Sequence, residues 1–313
     1  MEEIKGQTFR GERSLFGTRD REITDCVFED GESPLKECRD LEISGSAFKW
    51  KYPLWYSRDI EVRDTVWHEM ARAGVWYTRD IEIEDCQIDA PKNFRRSRDI
   101  ALKNVKFSNA AETLWNCRDV SLENVIADKA DYFAMDSRDV DIKDSTINGN
   151  YFAMNARDIN AENLTLNGNY GFDGCEDATI RNCRLITKDA FWNTKNVTVY
   201  DSYISGEYLG WNSENLTFVN CTIESLQGLC YIENLRLINC RLVNTTLAFE
   251  YCTVRAEING KADSILNPIS GKIKADEIGE LIIEPGRVDP DKTKIVCPKV
   301  EKQSDKPEWL RDK

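Results

Sequence analysis

Histidine is almost missing from this chain, with His68 alone among 313 residues. Neither a CxxC nor an HxxxH spacing occurs, so no metal site is expected. No apolar run approaches the roughly 18 residues of a membrane-spanning helix. Residues 1–17, MEEIKGQTFRGERSLFG, lack the basic start, apolar stretch and cleavage site of a signal peptide. A cytoplasmic protein with no membrane partner is the expectation. Basic charge is also short, with 42 Lys and Arg against 55 Asp and Glu, a net charge of -13. A domain built to grip phosphate backbones needs a basic face, so nucleic acid is a poor partner. The 11 cysteines are odd in number, in a long chain without an export signal, so they do not read as a disulfide framework.

What the chain has instead is a repeat. Arg-Asp occurs at Arg19-Asp20, Arg39-Asp40, Arg58-Asp59, Arg79-Asp80, Arg98-Asp99, Arg118-Asp119, Arg138-Asp139 and Arg157-Asp158, at intervals of 19 to 21 residues. The register continues at Glu176-Asp177, Lys195-Asn196, Glu214-Asn215 and Glu233-Asn234. Each marker is followed by alternating apolar residues, such as Val120 and Leu122, the signature of a strand with one buried face. Five residues after the marker comes a turn former, for example Asp85, Asn104 or Asn124. A small or thiol residue and a second apolar one follow, as in Cys183 and Leu185.

About 20 residues with strand, turn, strand, loop and a third strand leave no room for a helix. The fold class expected is all-β, a right-handed parallel β-helix of about 12 coils with three short strands each. Residues 1–18 read as an N-terminal cap, 19–252 as coils, 253–296 as irregular terminal coils and 297–313 as a tail, with Trp309 available to dock it. Segments such as Asn215-Leu-Thr-Phe-Val-Asn-Cys-Thr-Ile223 and Asn182-Cys-Arg-Leu185 resemble coils of the pectate-lyase-like β-helix superfamily. The Arg-Asp marker resembles a bacterial β-helix family of unknown function. The resemblance implies a saccharide cleft along the third strand, but no NTD…DD…GHG series of a polygalacturonase is present.

In such a fold equivalent positions stack into columns. Most cysteines fall after the turn residue (Cys26, Cys86, Cys183, Cys221, Cys240) or just before the marker (Cys38, Cys117, Cys175), places otherwise held by Ser, Thr, Ala and Val. They read as small, reduced core fillers. The stacked arginines could be a docking strip for an anion, but they need counter-charges, and Glu22, Glu42, Glu61, Glu82 and Asp141, three residues on, favour a salt-bridge ladder.

The third strand carries the functional expectation. Strict alternation would send the column of Trp55, Trp76, Trp115, Trp192 and Trp211 inward; with the opposite face out, they would form an exposed stripe that strengthens sugar binding. With the tryptophans inward, Arg96, Asn116, Asp136, Asn155, Asn193 and Asn212 would face outward, beside Glu112, Tyr132, Tyr151, Tyr170 and Asp189. Aromatic rings with amides and carboxylates suit sugar rings and their hydroxyls. Asp173 replaces a Trp or Met between Gly171 and Gly174 and would be forced toward the core, raising its pKa as a general acid requires. Asp136 is the candidate partner carboxylate. Two functions follow: a carbohydrate-active enzyme, hydrolase or lyase, using Asp136 and Asp173, or a non-catalytic sugar-binding or scaffold module. No cofactor is expected in either.

Overall fold

The computed structural model describes residues 1–308, and Trp309 lies outside the described residues. The chain divides into two compact units, Met1–Asn160 and Ala161–Lys313. Each is a parallel β-solenoid, and among the described residues there is no α-helix; a 3₁₀ turn lies at Pro290–Lys292. About 16 turns are present, against the 12 counted from the marker. The others lie where the marker is absent. Glu2–Lys5 and Thr8–Phe9 pair with the strands that follow Arg19, so residues 1–18 already form a coil. Beyond residue 252, Thr253–Leu266, Ser270–Ile282, Thr293–Val296 and Val300–Ser304 continue the parallel stacking.

One coil of the first unit shows how the letters make the turn. Strand Arg118–Glu123 buries Val120 and Leu122, in register with Ile100 and Leu102 on one side and Val140 and Ile142 on the other. Asn124 takes a left-handed φ of 52°, which its short polar side chain tolerates, and starts the bend into Ile126–Ala127. The inward positions of the second strands stack as rings, Phe9, Phe28, Phe48 and Trp67, at 5.1, 4.9 and 4.9 Å between centroids. Full burial of each such side chain contributes about 1.5–3 kcal/mol.

The corners explain the cysteines. There the backbone N–H cannot reach a carbonyl of the next coil and donates instead to a buried side chain. Ser46 N–H donates to Thr65 Oγ1 and Thr65 N–H to Cys86 Sγ, each at 3.3 Å. Before the marker, Ser57 N–H donates to Thr78 Oγ1 at 3.2 Å and Cys117 N–H to Ser137 Oγ at 2.9 Å. A hydroxyl or thiol at these positions therefore accepts a corner N–H as well as filling the space, although Val105, Val125 and Ala156 hold equivalent places without one. All cysteines are free and ten of the 11 are buried.

The third side corrects the expectation of three strands. It is built of turns, with no regular strand, because alternate residues are left-handed: Glu112, Leu114 and Asn116 at φ 53°, 58° and 54°, then Tyr132, Ala134 and Asp136 at 59°, 60° and 54°. Their N–H groups remain satisfied between coils, in alternating directions. Glu112 and Asn116 donate forward to Asp131 and Met135, while Leu114 donates back to Asn93. Left-handed residues also break the alternation of side chains. Leu114 and Thr113 both point inward, and Trp115 and Asn116 both point outward. The tryptophan column therefore shares the outer face instead of the core.

In the second unit the second strands lengthen to five residues, as in Arg184–Lys188 and Tyr203–Glu207. Its terminal coils carry an ion network in which Lys261 reaches Glu277 and Glu301 at 3.0 and 2.8 Å, and Lys299 reaches the same carboxylates at 2.9 and 3.2 Å. These lysines hold the Glu277 carboxyl down at about 2.

Candidate functional site

On the third side of the first unit, the outward aromatics stack along the coil axis. Tyr52 packs on Trp55 at 4.5 Å, and Trp55 on Trp76 at 5.1 Å and 6°. Arg95 takes the next place in the column, its guanidinium 4.7 Å from the Trp76 ring and 4.6 Å from that of Trp115. Glu112, expected to bind substrate, is committed to this cation, reaching Arg95 and Lys92 at 3.0 Å each. Tyr132 follows Trp115, and Tyr151 stacks on Tyr132 at 4.8 Å and 3°. Ring faces are largely covered by neighbouring rings, and the edges meet solvent.

Beside this spine runs the exposed polar column of Arg96, Asn116, Asp136 and Asn155. Asp136 accepts from Trp115 Nε1 at 3.1 Å and from Asn155 Nδ2 at 3.3 Å. Asn116, Asp136 and Asn155 line a shallow groove of about 390 Å³ together with the marker arginines Arg118, Arg138 and Arg157. Arg96 lines another, of about 290 Å³, with Arg39, Arg58, Arg79, Arg98, Tyr56 and Tyr77.

Those arginines were expected in a salt-bridge ladder, and the structure corrects this. Among the described residues, no marker arginine pairs with Glu22, Glu42, Glu61, Glu82 or Asp141. Arg58 and Arg98 meet their own neighbours Asp59 and Asp99, at 2.8 and 3.7 Å. The cause is again a left-handed residue: each marker aspartate, such as Asp59 at φ 56°, turns the chain between the arginine and the acid. Arginines face the corner with the third side, while Asp40, Asp59, Asp80, Asp99 and Asp119 share a groove of about 550 Å³ with Glu42, Glu61 and Glu82. The arginine spacing was legible in the letters; the corner that gathers them with Tyr56 and Tyr77 was not.

In the second unit the polar column is an amide ladder. Asn212 Nδ2 donates to Asn193 Oδ1 at 2.9 Å, and Asn193 Nδ2 to Asp173 Oδ1 at 2.8 Å. Asp173 is half-buried on the outer side and not forced into the core, because its column faces outward here too. Tyr170 meets Trp192 edge-on at 5.8 Å, and Trp211 packs on Tyr231 at 4.5 Å. Asp136 and Asp173, expected as a catalytic pair, belong to different units.

Asp189 is the exception within its column. It was expected in the outer groove but is only 3% exposed, and its Oδ1 is buried without a hydrogen-bond partner. Burial pushes its carboxyl above the ordinary range, against the opposing pull of Lys188. After strand Arg184–Lys188, residues 189–191 all fall inside. His68 lies exposed in the wider loop of its coil. Among the described residues, no group of three His, Cys, Asp or Glu could hold a metal.

No curated protein matches the chain in sequence. Among solved structures, it is similar to the tailspike protein of E. coli bacteriophage HK620 in complex with pentasaccharide, at 10% identity and a TM-score of 0.42, over 95% of this chain and 72% of that one. It is also similar to the A-module of the mannuronan C-5 epimerase AlgE4 of Azotobacter vinelandii, at 12% identity and a TM-score of 0.31, over 91% and 88%. At such scores neither likeness bears on ligand or reaction. A family described as protein of unknown function (DUF3737) matches residues 2–151 and again 137–296, overlapping as a repeat register permits. The chain belongs to this family, DUF3737, of unknown function.

Proposed function

We propose that this β-solenoid binds a saccharide lengthwise along its third side and does so without catalysis. The observation that carries the reading is the pairing of an outward polar column, Arg96, Asn116, Asp136 and Asn155, with an aromatic spine whose edges reach solvent. Sugar hydroxyls need paired donors and acceptors, which amides, carboxylates and guanidinia supply, while C–H patches pack on exposed aromatic surface such as that of Tyr132. A shallow groove open along its length suits a chain ligand better than a small metabolite, which needs an enclosed pocket. Both candidate carboxylates serve as acceptors in ladders, Asp136 from Trp115 and Asn155 and Asp173 from Asn193, which favours binding over acid–base work.

Calorimetry or a glycan panel on the full chain tests this. Some oligosaccharide should bind, and Asn116→Ala with Asn155→Ala should weaken it about tenfold, as two lost hydrogen bonds imply. Binding accompanied by turnover that Asp136→Asn abolishes would replace the non-catalytic reading with the hydrolase or lyase one. A second reading, a scaffold without a ligand, is favoured by the rings covering one another's faces; no saccharide binding at all would select it.

A further inference from the structure

We infer that the arginine-lined corner of the first unit selects an acidic saccharide chain, one with a carboxylate or sulfate on successive rings. This rests on the saccharide reading above and adds the ligand's charge. Arg39, Arg58, Arg79 and Arg98 stand in register on neighbouring parallel strands, so their guanidinium stems repeat every ~4.8 Å along the coil axis. Arg96 enters the same groove from the third side, and no acidic residue lines it. Arg58 and Arg98 are partly engaged by Asp59 and Asp99. Arg39, Arg79 and Arg96 have no acidic partner among the described residues.

The fold does not demand these arginines. In the second unit the same position is Glu176, Lys195, Glu214 and Glu233 in the same register, where opposite signs meet at two steps and like carboxylates at the last. Mixed signs are less repulsive than an unbroken run of one sign. The first unit instead stacks like charges, a pattern that an added anion relieves. Guanidinium binds carboxylate and sulfate through two parallel hydrogen bonds, so one arginine per coil matches one oxyanion per ring. Tyr56, 50% exposed, and Tyr77, 37% exposed, stack at 4.8 Å along the groove and offer ring surface beside the charges. The net charge of -13 repels densely charged polymers, which disfavours polyphosphate relative to a chain charged once per ring.

The test is binding of oligogalacturonate, neutral dextran of matched length and polyphosphate to the full chain and to Arg79→Gln/Arg96→Gln. Both residues face solvent, and circular dichroism with thermal melts confirms the fold of the variant. Oligogalacturonate should bind at low salt, weaken with added salt, and weaken tenfold or more in the double variant. Arg79→Lys/Arg96→Lys should restore only part, since lysine cannot make the bidentate pair. Dextran binding as well as oligogalacturonate, unchanged by the variant, would overturn this inference and leave the saccharide reading standing. Polyphosphate bound in preference to either saccharide would overturn it through its ligand class. No binding by any polymer would overturn both.

Discussion

Asp189 is a carboxylate whose surroundings fit it poorly. Its carboxyl is 3% exposed with one oxygen unpartnered, and burial raises its pKa. A carboxyl whose folded pKa exceeds its unfolded one is favoured in the fold while protonated. Its contribution is present below the unfolded value and lost as pH rises through the folded value. At neutral pH, Asp189→Asn is therefore expected to stabilise the second unit, by about 1–3 kcal/mol for removing a buried, poorly satisfied charge. Thermal melts from acid to neutral pH check this. The wild type should lose stability relative to the variant as pH rises, and parallel curves would refute the assignment. The mismatch could not be read from the letters, because Asp189 occupies the column of the outward Tyr132, Tyr151 and Tyr170.

At the scale of the element, the corner ladders hold the coils in register. Asn124 Nδ2 donates to Asn104 Oδ1 and Asn104 Nδ2 to Asp85 Oδ1, both at 2.8 Å, while each residue holds a left-handed φ near 52–54°. Asn104→Ala removes two side-chain bonds and leaves a methyl side chain in a conformation costing roughly 1–2 kcal/mol. It should destabilise its coil by about 2 kcal/mol, and Asn104→Gly by less, since glycine adopts that φ freely. Hydrogen exchange of residues 98–127 reads the loss locally; equal protection in Ala and Gly variants would deny that backbone strain contributes. The turn former five residues past the marker was legible because Asn, Asp and Gly are the types that tolerate αL. The third side was not, because Tyr132, Leu114 and Phe133 carry no such signal, yet Tyr132 and Leu114 are left-handed and Phe133 is not.

For the whole molecule, stability comes from stacking, each coil covering the next, so burial of the core columns is the common requirement. The thiols report on it. Burial pushes Cys86, Cys117 and Cys230 up to about 12 and Cys38 to about 11, so these thiols carry almost no nucleophilic thiolate at neutral pH. In the native protein a thiol reagent should modify Cys297 alone, the one cysteine not buried, and all 11 after denaturation. Rapid labelling of several cysteines without denaturant would show that the stack opens locally. Charge is also laid out on this scale: in the first unit an acidic groove and an arginine groove lie on the two sides of one column of left-handed aspartates.

By itself the sequence determined the repeat, the two regular strands of each coil, the turn after the first strand and the columns that fill the core. All follow from local rules, period-two burial and residues that tolerate αL, repeated until chance is no account. Tertiary structure decided what the third side presents. Period-two alternation holds only while φ stays in the extended region, and the left-handed residues there persist because hydrogen bonds to the coils on either side offset their cost. Those bonds exist only once coils stack. They turned the tryptophans outward, drew Asp189 inward and set Asp173 at the surface, where letters alone placed each on the opposite face.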